Sequence, residues 1–159
     1  EHMIEAMIHL PEYRFYLAGD GDISSKLKKL VVDLNLTDRV IFLGKLSPSQ
    51  LNIENQKVWI GINLLDHTSL NYYYSLANKT FDYIQAEIPA IHMSFPEYED
   101  VMNQYHVGIC IPDLNIPTIV NAVRFFESKE NYASTLYAIR KAKSELIWAN
   151  EETKLLSLI

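Results

Sequence analysis

One cysteine, Cys110, is present in 159 residues. A single thiol cannot form an intramolecular disulfide or furnish a Cys-rich zinc module. Secreted disulfide scaffolds are therefore excluded, and a reducing compartment is expected. Basic residues are in deficit: 14 Lys and Arg against 20 Asp and Glu give a formal net charge of -6. That balance disfavours a nucleic-acid or anionic-membrane surface, which needs a basic excess. No apolar run approaches the ~20 residues of a membrane span, and no signal-peptide pattern opens the chain. The histidines show no metal-ligand spacing. No Gly-x-x-x-x-Gly-Lys-Ser/Thr loop and no Gly-x-Ser-x-Gly nucleophile elbow occur.

What is present is an ordinary globular composition, 48% hydrophobic and 21% charged, and residues 1–159 read as one domain. The first residues are helical: Met3, Ile4, Met7, Ile8 and Leu10 fall about one turn apart on one face. An apolar stripe with no N-cap before it leads to the expectation that the sequence begins inside a larger protein, the alternatives being a native N-terminal helix or a cloning remnant around His2-Met3. Strands are expected at Tyr13–Ala18, Arg39–Leu43, Val58–Leu65, Pro89–Met93 and Val107–Ile111. Helical periodicity lies between them and in two closing helices that carry Ile116–Phe126 and Leu136–Leu146. Ser47-Pro48 reads as an N-cap followed by proline at the first helical position. Asp66–Tyr74 reads as a loop, and Trp148 with Leu155-Leu156 as a final turn. Five alternations of strand and helix define an α/β domain whose parallel sheet is covered by helices on both faces.

Ligands of such folds sit beyond the carboxyl ends of the strands. Gly19-Asp20-Gly21-Asp22-Ile23-Ser24 follows a strand and opens a helix, where backbone amides suit a phosphate. It lacks the third glycine of the dinucleotide fingerprint, and its two aspartates oppose a pyrophosphate. On residues alone a tight turn with an acidic cap is the simpler reading. The Ser75–Asp82 segment carries more. Ser75 or Asn78 is placed to cap a helix, whose N-terminus holds partial positive charge. Lys79 adds a full charge in the first turn, and Asp82 lies on the same face. This suits a diphosphate with a carboxylate for sugar hydroxyls, and it equally suits a local Lys79–Asp82 ion pair. Tyr72-Tyr73-Tyr74 reads as loop packing, His92 as a core or loop histidine, Glu97 and Glu99 as favourable helix-dipole charges, and Cys110 as an inert buried thiol.

The order of these segments resembles the C-terminal domain of GT-B glycosyltransferases, in particular the large retaining family called glycosyl transferases group 1, or family 4. Phe15-Tyr16-Leu17-Ala18-Gly19-Asp20-Gly21 is similar to its strand ending in Ala/Val-Gly-x-Gly. Asp38-Arg39-Val40-Ile41-Phe42-Leu43-Gly44 resembles its "DRVxFLG" strand, and Ser75–Tyr83 followed by Ile88–Ile91 its "SLPNKxFEY…GxPVI" segment. Ile147–Glu152 resembles its tryptophan-bearing closing helix. The resemblance implies a Rossmann-like parallel sheet, one half of a GT-B fold, that lacks its first strand here. It implies a donor site for a nucleoside-diphosphate sugar, which is a substrate and not a resident cofactor. Asp82 takes the place of a ribose-binding glutamate. Ser75, Asn78 and Lys79 lie near the diphosphate and sugar, Lys45 and Leu46 border the base, and Gly19 and Gly21 floor the cleft.

Three departures accompany it. Tyr74 stands where the family's first glutamate of a Glu-x7-Glu pair falls, and Glu87-Ile88 replaces the glycine before the proline of the next strand. The basic Gly-Arg…Lys-Gly loop and the N-terminal acceptor domain would precede Glu1. The chain alone is therefore expected to be catalytically silent, with no catalytic residue of its own, while its parent is a glycosyltransferase, with a role in surface polysaccharide assembly. A cytoplasmic location follows, with any membrane attachment peripheral and through other parts. A sheet without a central strand exposes edges, so pairing with a second copy or a rearranged edge is expected. Competing readings are a GT-B sugar-nucleotide epimerase half and a non-enzymatic interaction module that kept the fold.

Overall fold

The apolar stripe of residues 3–10 folds as helix α1 (His2–Ala6), tightened into a 3-10 turn over Met7–His9. Ile4, Met7 and Leu10 are buried as the spacing requires, whereas Ile8 is exposed. The Arg39 guanidinium Nη1 donates to the carbonyls of Met7 and Leu10, at 2.7 and 2.9 Å. These carbonyls also accept from Leu10 N–H and Tyr13 N–H, at 3.3 and 3.2 Å, and the arginine is their second donor at the helix end. The computed structural model describes residues 1–147 together with Glu152 and Leu156. Trp148 and Leu155, read from the sequence as part of a final turn, lie outside the described residues, as does most of the closing-helix resemblance.

Strands and helices then alternate: β1 (Phe15–Ala18), α2 (Ser24–Asp33), β2 (Val40–Gly44), α3 (Pro48–Asn55), β3 (Gly61–Asn63), α4 (Leu70–Tyr73), α5 (Asn78–Gln85), β4 (Ala90–Met93), α6 (Pro96–Tyr105), β5 (Gly108–Ile111), α7 (Ile116–Phe125) and α8 (Lys129–Glu145). The N-terminus of α3 is a capping box: Ser47 Oγ accepts from Gln50 N–H at 3.3 Å and Gln50 Oε1 from Ser47 N–H at 2.9 Å. The Asp66–Tyr74 loop is not wholly irregular. It contains the one-turn α4, capped by Ser69 Oγ accepting from Asn71 N–H at 3.2 Å.

All strand pairings are parallel, but the single sheet expected from the sequence divides in two. β1 pairs with β2, and β4 lies between β3 and β5. Between the two sheets lies a cavity of about 490 Å³, lined by Phe15, Tyr16 and Leu17 of β1 and by Trp59, Ile60 and Gly61 leading into β3. Met3, Met7 and Leu10 also line it, so α1 packs beside it. All four residues of β4 are buried, as in a strand covered on both faces. One apolar cluster joins α1, the strands and α7 through Ile4, Met7, Ile91, Ile111, Ile119 and Val123. A smaller one joins α5, α6 and α8 through Ile84, Met102, Val107, Ile139 and Ala142.

The strand expected over Val58–Leu65 shrinks to Gly61–Asn63. Trp59 explains this. Its ring is sandwiched between Tyr13 (5.2 Å, 1°) and Tyr132 (5.9 Å, 26°), and its carbonyl accepts from the Tyr132 hydroxyl at 3.3 Å. Val58 N–H is taken by Asn55 O in the turn leaving α3. Among the described residues β3 pairs only with β4, so no second strand there straightens this segment.

Glu87, at the position of the family's glycine, ends α5 in the left-handed region with φ 59°. Ile88 N–H reaches Tyr83 O and Glu87 N–H reaches Ile84 O, a helix-terminating pattern that favours glycine. The glutamate side chain is held instead by Arg140 Nε and Lys143 Nζ of α8, each at 3.0 Å. Those partners, Lys143 first, hold its carboxyl below the usual range.

Candidate functional site

The carboxyl ends of β1 and β2 are brought together by two glycines. Gly19 N–H donates to Gly44 O at 2.7 Å, and both residues have positive φ, 129° and 68°. A side chain at either would be strained, whatever the space around it. A shift in register after Leu17 sets Ala18 opposite Gly44. The Gly19–Ser24 turn and the Lys45–Ser47 loop therefore leave the sheet side by side. Lys45 is exposed and Leu46 half-buried.

Within the first loop, Asp20 Oδ1 accepts from Gly21 N–H at 2.9 Å and from Ser24 Oγ at 2.7 Å. The Ser24 hydroxyl and then the Gly21 amide hold the Asp20 carboxyl below its usual range. The Gly21 amide is thus engaged by its own loop, the arrangement of a turn with an acidic cap.

At α5 neither Ser75 nor Asn78 is the cap. The N-cap is Ala77, with no side-chain hydrogen bond to the helix. Ser75 Oγ donates to Tyr72 O at 2.8 Å, and Ala77 N–H donates to the Tyr98 hydroxyl at 3.1 Å. Three residues on from Lys79, Asp82 shares its helix face, and both are exposed. They form no ion pair with one another among the described residues. Of the two sequence-based alternatives for this pair, the local salt bridge is therefore not what the fold adopts. Lys79 and Asp82 both line the inter-sheet cavity, with Ala18 and Leu43 of the β1 and β2 ends. Gly19, Gly21, Lys45, Leu46, Ser75 and Asn78 lie on adjoining loops and are not among its lining residues.

Several residues that shape this region make contacts that the sequence did not assign to them. Tyr83, one residue after Asp82, lays its ring against Gly61, where a Cβ would come 2.5 Å from it. Its hydroxyl donates to Ile62 O at 3.1 Å, which ties α5 to β3. His92 is fully buried, and burial alone pushes its pKa down to about 4, so it is neutral. Its Nδ1 lies 3.3 Å from Asn63 Nδ2. As the acceptor there, Nδ1 leaves the ring proton on Nε2, which has no partner among the described residues; nor have Asn63 Oδ1 and Thr80 Oγ1. Tyr73 packs edge-on against Tyr74 and at 5.2 Å from Phe95, so it packs the loop as expected, while Tyr72 and Tyr74 are exposed. Glu97 and Glu99 do fall in the first turn of α6. Cys110 is only half-buried, and burial, with Glu99 second, pushes its thiol up to about 12. Among the described residues no cluster of His, Cys, Asp and Glu is placed to hold a metal, and no helix is long and apolar enough to cross a membrane.

Parallel strands, covering helices and loops gathered at the strand ends define a Rossmann-like α/β unit matching those of GT-B glycosyltransferases. The chain is similar in structure to sucrose-phosphate synthase from Thermosynechococcus elongatus, with a TM-score of 0.81 and 18% identity. That match covers 99% of this chain and 40% of the synthase. It is also similar to WaaG, a glycosyltransferase involved in lipopolysaccharide biosynthesis (TM-score 0.72, 14% identity, 90% of this chain and 38% of that one). A third similar structure is the pneumococcal O-GlcNAc transferase GtfA in complex with UDP and GlcNAc (TM-score 0.67, 18% identity, 90% and 28%). The chain thus spans two fifths or less of each of these proteins. No curated protein sequence matches it. Residues 1–144 match the family described as glycosyl transferases group 1, and the chain belongs to that family.

Proposed function

We propose that this chain is the donor-binding domain of a glycosyltransferase that moves a sugar from a nucleoside diphosphate to an acceptor. The observation that carries this reading is the placement of Lys79 and Asp82. They sit on one face at the start of α5, exposed, unpaired with each other, and on the wall of the inter-sheet cavity beside Ala18 and Leu43 from the ends of β1 and β2. Lys79 and the positive end of α5 suit the charge that gathers on a departing diphosphate as the bond from the anomeric carbon to its oxygen breaks. Asp82 suits sugar or ribose hydroxyls as an acceptor. The acceptor's oxygen and any acid or base arrive from a second domain, so the catalytic group is not assigned to this chain. The inter-sheet cavity supports the expectation of a further strand: among the described residues β1 and β3 each have one strand neighbour, and a parallel strand upstream of α1 would join them by the usual right-handed crossover. A role in surface polysaccharide assembly and a cytoplasmic site of action are part of the same proposal.

The test is calorimetric titration of the full-length polypeptide with UDP, GDP, CDP, ADP and dTDP. One diphosphate is expected to bind selectively, and Lys79→Ala to weaken it by about 10- to 100-fold, the worth of a hydrogen bond to a charged group. Unchanged affinity in both Lys79→Ala and Asp82→Ala sinks the donor-site assignment. Tyr74, exposed where the family has a glutamate, favours a second reading, a non-enzymatic module that kept the fold. Absence of any diphosphate binding is the outcome that reading requires.

A further inference from the structure

The segment entering α5 receives no side-chain cap, yet its path is fixed from behind by α6. The Tyr98 ring is 0% exposed, stacks on His92 at 5.0 Å and 18°, and lies 6.4 Å from the Phe95 ring. That packing concerns the ring alone, and a phenylalanine would fill the same space. The hydroxyl has a different task. It accepts the Ala77 N–H at 3.1 Å and lies 3.4 Å from Ser75 Oγ. Ala77 is the N-cap of α5, two residues before Lys79. Phe95 holds Tyr73 at 5.2 Å, so the start of α6 grips both ends of residues 73–77. His92, against which Tyr98 stacks, is itself tied to Asn63 at the end of β3. A continuous line of contacts therefore runs from the end of β3 through β4 and α6 to the backbone at which α5 begins.

We propose that Tyr98 is a positioning residue for the donor site: its hydroxyl holds Ala77 and Ser75 so that α5 starts where Lys79 and Asp82 meet the diphosphate and sugar. This rests on the donor-site reading above. The physical warrant is preorganisation. A segment already ordered in the free protein does not have to be ordered at the moment of binding, and that saving appears as affinity. The saving belongs to the diphosphate end of the ligand, because Tyr98 holds the residues leading to Lys79. The base, beside Lys45 and Leu46 on the expected arrangement, is bordered by a different loop from the one whose backbone the Tyr98 hydroxyl holds.

The experiment measures, in the full-length polypeptide, affinities for the five nucleoside diphosphates and for the matching nucleosides, in wild type, Tyr98→Phe and Lys79→Ala. Tyr98→Phe is expected to weaken the preferred diphosphate about 2- to 10-fold, the range one net hydrogen bond supplies, and to leave its nucleoside unchanged. A second measurement does not depend on the variant folding. Amide exchange of the free wild-type protein is expected to show the Ala77 N–H already protected before ligand is added. If Lys79→Ala binds diphosphate normally, the donor-site reading itself fails. If Lys79→Ala is impaired while Tyr98→Phe is not, only the Tyr98 assignment fails. Equal losses for nucleoside and diphosphate in Tyr98→Phe, or an Ala77 amide that exchanges freely until ligand binds, overturn it as well.

Discussion

Acidification from pH 7.5 to pH 5 tests the environment of His92 more directly than any truncation. The ring is 0% exposed, and burial lowers its pKa from 6.5 to about 4. Between those values the unfolded chain binds a proton at this ring and the folded chain does not. The destabilisation is absent above pH 6.5, grows as pH falls, and is complete below about pH 4. Linkage gives a loss of about 2 kcal/mol at pH 5 and about 3 kcal/mol in full, large beside the ~5–15 kcal/mol of a typical domain. The lowered carboxyl of Glu87 acts in the same direction but over a lower pH range. Its contribution is present above the unfolded carboxyl value of 4.5 and is lost as pH falls below that, so it does not enter the pH 5–6.5 window. The remaining histidines, His2, His9, His67 and His106, are exposed. The assay is urea denaturation at several pH values for wild type and His92→Gln, whose amide cannot titrate. The variant is expected to be less stable at pH 7.5, since it loses the stack on Tyr98, but flat between pH 7.5 and 5. A variant that loses stability as steeply as wild type over that interval would refute the reasoning.

Other substitutions probe the packing that frames the site. Gly108→Ala would put a Cβ 2.2 Å from the Ala90 carbonyl oxygen on the neighbouring strand, and is expected to cost about 1–3 kcal/mol by overpacking. Gly21→Ala, with nothing within 4 Å of the new carbon, serves as its control, and equal urea midpoints for the two would count against the β4–β5 geometry. Ser47→Ala removes half of the capping box of α3 and should cost about 1 kcal/mol, with faster amide exchange confined to that helix's first turn. The Cys110 thiol, raised to about 12, should react with a disulfide reagent at pH 8 far more slowly than a free cysteine, until urea exposes it. Immediate stoichiometric labelling of the folded chain would contradict that burial.

Much of this architecture is local in origin and was therefore legible in the residue order. The capping box at Ser47 and Gln50 spans three residues, and the shared face of Lys79 and Asp82 follows from helix pitch alone. Alternating strand and helix patterns announced a parallel α/β unit, and the glycines at 19 and 44 marked where β1 and β2 end. The motif around Arg39 pointed to the family, although its guanidinium proves to serve the end of α1.

Other features depend on partners far apart in sequence. Trp59 shortened β3 because Tyr13 and Tyr132 enclose it, and Tyr132 lies 73 residues away. Ser75 and Asn78 looked like caps of α5, but the residue that orders its entry is Tyr98, acting on a backbone amide 21 residues earlier. Glu87 could occupy a glycine-favouring conformation because α8 brings Arg140 and Lys143 to it. Sequence by itself determined most of the elements, their alternation and the two charges on one face of α5, since each follows from interactions within a few residues. Tertiary structure alone decided how the strands divide into two sheets, which buried polar groups stand behind the site, and what fixes the start of α5. Those outcomes depend on which side chains of distant segments meet in space, and short-range periodicity does not encode that.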